Sequence, residues 1–256
     1  RDHAESEYLA DAYYWLGETF FKREKYQQAV ETLSTLIRQF PSYEFLDYTY
    51  YSLGWSYFNL QQYEKALENF TLVPSKFPES SLSMSSYMDR ARTLFHLQQY
   101  EQAHQEYMTI IKTYPSEDTW EAFFWVAESL YHLKDYEQPL AYYRQFLQAP
   151  SPEEYADDAL YGVAWSLTNL GKTEEAIQQF QTFAAQYPQS ELLPSSLYQL
   201  GVLLFQENNV NEGIQVFDYL AKQPQTEYRD DITFQLGQAY YDQEKYDRAF
   251  SLFQKL

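Results

Sequence analysis

A small residue returns along this chain at a nearly constant interval. Gly17, Gly54, Ala91, Ala127, Ala164, Gly201 and Gly237 are separated by steps of 37, 37, 36, 37, 37 and 36 residues. Twelve residues after each stands a second small residue, Ala29, Ala66, Ala103, Ala176, Gly213 or Ala249, replaced once by Pro139. Four residues further on is a large apolar side chain: Leu33, Phe70, Tyr107, Tyr143, Phe180, Phe217 and Phe253. Units end on Pro41, Pro78, Pro115, Pro150, Pro188 and Pro224. A self-similar period of this length describes a supersecondary unit that cannot bury its apolar face alone and stacks on its neighbours.

Each unit reads as a helical hairpin. Between the two small residues lies a short polar stretch such as KREK, NLQQ, HLQQ or DQEK, flanked by apolar residues at three- and four-residue spacing. That spacing is the amphipathic helix pattern, and no strand-like alternation is sustained. The proline ends the second helix and pushes the residue before it out of helical geometry. Gly54, inside the first helical run, costs roughly 1 kcal/mol relative to alanine. Its periodic place explains it: a small residue there lets the second helix of the hairpin approach closely.

The pattern resembles the tetratricopeptide repeat. One copy reads Tyr50, Leu53, Gly54, Tyr57, Ala66, Phe70, Val73, Pro78, and another Tyr13, Leu16, Gly17, Phe20, Ala29, Leu33, Leu36, Pro41. The resemblance covers residues 8 to 256 and implies an all-α, right-handed solenoid of about seven helix-turn-helix repeats, the last truncated. The repeats lie near 10–43, 47–80, 84–117, 120–153, 157–190, 194–227 and 230–256 and form a single domain over 1–256. The period exceeds that of the family, and the excess lies between the proline and the next small residue. This predicts a first helix extended at its N-terminus. The fourth copy departs furthest, with Pro139 in the alanine place and Ser151–Pro152 following Pro150; a bend or break in the stack is expected there. Segments after the prolines, such as FPESSLSMSSYMDRA and YPQSELLPSSLYQLG, are similar to the bacterial cell-envelope branch. That branch includes the lipoprotein of the outer-membrane β-barrel assembly machine and the periplasmic coordinator of the Tol–Pal system, and the likeness implies an envelope or periplasmic location, with a cytoplasmic one as the alternative.

Composition narrows the partners. The net charge is −19, from 37 acidic and 18 basic residues, which opposes nucleic acid and anionic membrane surfaces. No apolar run approaches the ~18 residues of a membrane span. The absence of cysteine removes thiolate chemistry and cysteine zinc sites. There is no glycine-rich phosphate loop, nucleophile elbow or paired-histidine motif, so neither an enzyme nor a cofactor is expected. The chain runs from Arg1 to Leu256 and reads as a mature or an excised segment.

The resemblance places the first helix of each pair on an extended concave groove. Aromatic stripes recur there, three residues before the small residue (Tyr14, Tyr51, Phe124, Tyr161, Tyr198) and four after it (Phe58, Phe95, Tyr131). The residue directly after the small one is Glu18, Trp55, Arg92, Glu128 or Trp165. These thirteen side chains are the candidate partner-binding set; packing between hairpins is the competing role for the aromatics, and tryptophans exposed in a groove are candidate hot spots. Family members that clamp acidic chaperone tails use Lys, Asn and Arg where this chain has Tyr14, Glu18, Tyr51 and Trp55, so that ligand is not implied.

Acidic clusters stand at the starts of first helices: Glu117, Asp118 and Glu121; Glu153, Glu154, Asp157 and Asp158; Glu227, Asp230 and Asp231. Helix-dipole compensation accounts for them, helped at one copy by a Ser151–Glu154 capping box with Pro152 at the first helical position. A ridge for a basic partner or a divalent cation is the other reading. His96 and His132 hold equivalent places in successive copies, with Glu128 one turn before His132; solvated histidines are the expectation, and no metal is assigned. The reading is a non-catalytic scaffold that holds a protein or peptide segment. The alternatives are a self-assembling protein that oligomerises through its terminal repeats, and the adaptor part of a longer enzyme or sensor.

Overall fold

A computed structural model of the chain describes residues 2–114, 119–149, 154–223 and 227–256, with side chains from residue 8. Among the described residues there are fourteen helices and no strand. They are α1 (Asp2–Lys22), α2 (Tyr26–Gln39), α3 (Leu46–Asn59), α4 (Tyr63–Lys76), α5 (Ser83–His96), α6 (Tyr100–Thr113), α7 (Trp120–His132), α8 (Gln138–Phe146), α9 (Ala156–Asn169), α10 (Thr173–Gln186), α11 (Leu193–Gln206), α12 (Val210–Leu220), α13 (Arg229–Asp242) and α14 (Tyr246–Phe253). Two compact units emerge, Arg1–Leu133 with α1 to α7 and Lys134–Leu256 with α8 to α14. The boundary lies in the fourth copy, the most deviant in sequence. Within each unit successive helices pack against one another in chain order.

The small residues sit where the sequence places them, and the packing shows what they admit. A methyl group on Gly54 would lie 2.6 Å from Cε1 of Phe70, and one on Gly237 would lie 2.5 Å from Cε1 of Phe253. Leu33 crowds Gly17 and Phe217 crowds Gly201 in the same way. The large residue of the second helix is therefore a knob seated on the first helix. Phe70, Tyr107, Tyr143, Phe180 and Phe217 are wholly buried, each contributing about 2–3 kcal/mol of burial.

The helix types differ in how they are covered. On α10 the buried residues Ala176, Phe180 and Phe183 follow i, i+4, i+7, a single stripe. On α9 eight residues are buried, from Ala156 to Leu167, because neighbours cover it on more than one side. The polar side chains left on first helices are therefore confined to one narrow face.

The turns share one geometry. Glu24, Gln61, Gln98, Lys134, Gly171, Asn208 and Glu244 have φ between 57° and 69°. In six hairpins the next residue donates its N–H to a carbonyl five residues back, as Lys25 does to Phe20 and Gln62 to Tyr57. This is the Schellman closure, whose left-handed residue is usually glycine. The fourth copy breaks the pattern. Asp135 accepts from the backbone N–H groups of Glu137 and Gln138, and α8 begins late enough that Pro139 falls in its first turn, where its missing N–H is harmless.

The extended first helix is not general. First and second helices are alike at 14 residues in three of the seven pairs, α3 with α4, α5 with α6 and α9 with α10. The extra chain forms six-residue connections, 40–45, 77–82 and 187–192. The residues before the prolines, Phe40, Phe77 and Tyr187, have left helical geometry with ψ of 66°, 65° and 57°. Pro115, Pro150 and Pro224 and the Ser151–Glu154 capping box fall on or across residues outside the described set.

Candidate functional site

In the first unit the narrow face of α3, α5 and α7 carries an aromatic and ionic network. On α3, Tyr51 and Trp55 stand one turn apart and both pack edge-on against Phe70, with ring centroids 5.8 Å away in each case. Arg92 of α5 lies over the Trp55 ring at 5.5 Å and over the Trp125 ring of α7 at 5.9 Å. Its guanidinium donates to Asp89 at 3.1 Å, one turn back on its own helix, and to Glu121 of α7 at 2.6 Å. The Tyr51 hydroxyl donates to the other Asp89 oxygen at 2.7 Å, and the Trp125 indole to Glu121 at 2.7 Å. One cation is thus held between two indoles and two carboxylates contributed by successive first helices.

Burial sets the electrostatics. Asp89 is 5 % exposed, and burial pushes its carboxyl up to about 6 against the pull of the Tyr51 hydrogen bond and the Arg92 charge. Burial also raises the Tyr51 phenol, with Asp89 adding to the shift. Burial works against the Arg92 charge, but Glu121 and Asp89 more than offset it and its pKa moves up. The guanidinium is a fixed charge here.

The second unit repeats half of this arrangement. Tyr161 and Trp165 of α9 pack on Phe180, each at 6.2 Å with interplanar angles of 72° and 88°. The corresponding angles in the first unit are 64° and 80°. The Tyr–Trp–Phe triad is therefore the same, but α11 places Gln199 and Val202 where α5 places Asp89 and Arg92. Tyr198 of α11 stacks on Tyr228 at 4.3 Å, and Tyr228 shares a 3.0 Å hydrogen bond with Ser195.

The other sequence candidates divide. Tyr14 stacks on Phe45 at 6.0 Å, and burial, followed by Glu18, pushes its phenol up to about 12. Glu18 is half-buried, with its Oε1 shielded and without a hydrogen-bond partner. Phe58 meets His96 edge-on at 4.9 Å and Phe95 meets His132 at 5.3 Å. Tyr63 and Tyr100 stack on the same imidazoles at 5.3 and 4.5 Å. Both imidazoles pack on aromatic rings while remaining exposed to solvent, and partial burial lowers their pKa values. Tyr131 and Glu128 are half-buried on α7. Phe124 is 3 % exposed and belongs to the core.

Asp89 and Trp125 were not singled out by sequence reasoning, and Glu121 only as one of an acidic cluster. The available signals were local: an acid and an arginine at i, i+3 on α5, and a glutamate and a tryptophan at i, i+4 on α7. Of the acidic clusters, Glu117, Asp118 and Glu153 lie outside the described residues. Asp157 accepts the Ser190 hydroxyl at 2.7 Å, and Asp47 that of Ser80 at 2.5 Å, so these carboxylates tie the start of a first helix to the connection that follows its own hairpin. Among the described residues no group of His, Asp or Glu is placed to hold a metal ion, and no helix is long and apolar enough to cross a membrane.

Residues 11–43, 48–80, 158–190 and 232–256 match one family profile described as a tetratricopeptide repeat, and residues 88–155 match a second of the same description. A solved tetratricopeptide repeat protein from Parabacteroides merdae is similar with a TM-score of 0.68 and 17% identity, over 96% of this chain and 91% of that one. The C-terminal part of a repeat-containing protein from Cytophaga hutchinsonii gives a TM-score of 0.74 and 14% identity, over 94% and 93%. YrrB, described as having an unusual peptide-binding site, gives 0.58 and 20%, over 74% and 91%. At these identities the likeness is one of fold. Comparison with curated protein sequences gives no match.

Proposed function

We propose, from the premise that this chain belongs to the tetratricopeptide repeat family, that it is a non-catalytic scaffold binding a partner protein segment along the face of its first helices. Proteins of this family typically serve protein–protein interaction. The observation that carries the reading is the concentration of half-buried aromatic rings on that face, Tyr51, Trp55 and Trp125 in one unit and Tyr161, Trp165 and Tyr198 in the other. Such amphipathic rings are the usual anchors of protein interfaces. Peptide binding by the structurally similar YrrB is in keeping with this reading. We place the protein in the bacterial cell envelope, on the likeness of its post-proline segments to the envelope branch; cell fractionation checks this.

The test is affinity capture from native cell fractions with wild type and a Trp165→Ala, Tyr198→Ala double variant of equal helicity by circular dichroism. Loss of the captured partner in the variant is expected. Undiminished capture moves the site off this face.

A second reading, end-on self-association, has its own observation. The large-residue place is wholly buried in α4, α6, α8, α10 and α12, whereas Phe253 of α14 is 38 % exposed and the neighbouring Phe250 63 %. Sedimentation equilibrium checks it. A mass rising with concentration and returning to that of a monomer in Phe250→Ser supports this reading, and a constant monomer mass removes it.

A further inference from the structure

The two units contain the same aromatic platform in two states of occupation. In the first, the Tyr51–Trp55–Phe70 triad is covered by the chain's own Arg92, which also has Asp89 and Glu121 as partners. In the second, the Tyr161–Trp165–Phe180 triad has the same edge-on geometry, and the next helix supplies Val202 at the arginine position.

The carboxylate of that network has a counterpart in the second unit. Glu121 stands six residues before the small residue Ala127, and Asp231 six before Gly237. Asp231 is exposed and near enough to Tyr198 to help raise its phenol pKa after burial. Neither α9 nor α11 contains a lysine or arginine, while α9 contains Asp157 and Asp158. The second platform therefore has an indole face and carboxylates but no cation from α9 or α11; the one cation of α13, Arg229, is exposed two residues before Asp231.

We propose that the Trp165 platform, with Asp231, receives an arginine side chain from the partner segment, reproducing between molecules the contact that Arg92 makes with Trp55 and Glu121 within the chain. A guanidinium fits better than an ammonium: it lies flat on the indole while its in-plane N–H groups reach a carboxylate. The occupant is thus a basic, arginine-bearing protein segment, which the net charge of −19 also draws in. This assignment rests on the scaffold reading above and adds the chemistry of the partner.

The probe is N-acetyl-arginine amide, titrated into full-length protein with labelled tryptophan indoles and followed by NMR. The chain has five tryptophans, assigned by single Trp→Phe variants. The Trp165 indole signal is expected to shift with dose, and several-fold less with N-acetyl-glutamine amide. Asp231→Asn is expected to weaken the response several-fold. Val202→Arg, which supplies the missing cation from within, is expected to suppress it. Circular dichroism of each variant confirms the fold. A Trp165 signal that ignores the arginine probe, or follows the glutamine probe equally, overturns the proposal. If the Trp165→Ala, Tyr198→Ala variant nevertheless loses its captured partner, the interaction face stands and only its arginine chemistry fails. If the arginine probe binds but capture survives those substitutions, the face is wrong as the partner's site while the cation platform stands.

Discussion

Alanine carries costs of different origin at two glycines. Gly54→Ala gains roughly 1 kcal/mol of helix propensity, but its methyl group meets the buried Phe70 ring at 2.6 Å. Overpacking of this kind costs about 1–3 kcal/mol, so net destabilisation is expected in urea unfolding. A rise in stability would mean the ring shifts freely. Gly171 has φ +69° and nothing within 4 Å of an added methyl group, so Gly171→Ala isolates the left-handed backbone cost, about 1 kcal/mol. Gln61→Gly at the same turn position should gain a similar amount; no change would show that the turn tolerates a side chain without strain.

Asp89 gives a pH dependence whose sign follows from its raised pKa. The folded state holds this proton up to about pH 6, whereas an unfolded aspartate releases it near 3.8. Between those values the native state binds more protons, so the Asp89 contribution to stability falls as pH rises and levels off above about 6. His96 and His132 act in the opposite sense, because their lowered folded pKa values let stability grow as pH rises toward 6.5. Asp89→Asn separates the effects. Relative to the variant, wild type should lose on the order of 2 kcal/mol between pH 4.5 and 7. A difference independent of pH contradicts the burial of this carboxyl.

At the scale of elements, the repeat was legible because its packing demands it. The knob of each second helix needs a small residue beneath it, so the period appears in Gly17, Gly54, Gly201 and Gly237. The turn geometry was not legible, since six of its seven left-handed residues are not glycine. Nor was the Asp89–Arg92–Glu121 network, because residues 92 and 121 meet only through the register between hairpins. The length assigned to the first helices α5 and α11 was wrong for a related reason: a proline-to-glycine interval does not tell a helix from a turn, and Ser80 and Ser190 order the connection instead. Each accepts the backbone N–H two residues on and donates to an aspartate at the start of the hairpin just completed. A double-mutant cycle of Ser190→Ala and Asp157→Ala should show about 1 kcal/mol of coupling; additive losses would make the contact incidental.

For the whole molecule, charge and surface bear on function together. With a net charge of −19, self-repulsion opposes the compact state, and moderate salt should raise the thermal midpoint by screening it. A midpoint that falls with salt would mean that ion pairs such as Arg92–Glu121 outweigh the repulsion. The same charge, with Arg92 over the Trp55 platform and no cation from α9 or α11 at the Trp165 platform, makes the first-helix face of the second unit the place where a basic segment gains most. The most direct measurement is site-specific photo-crosslinking in the native host, with the reactive residue at Val202, which holds the place of Arg92 in the second unit, or at the exposed Gln178 of α10. The account predicts a discrete partner adduct from Val202 and none from Gln178. An adduct from Gln178 with none from Val202 would contradict it.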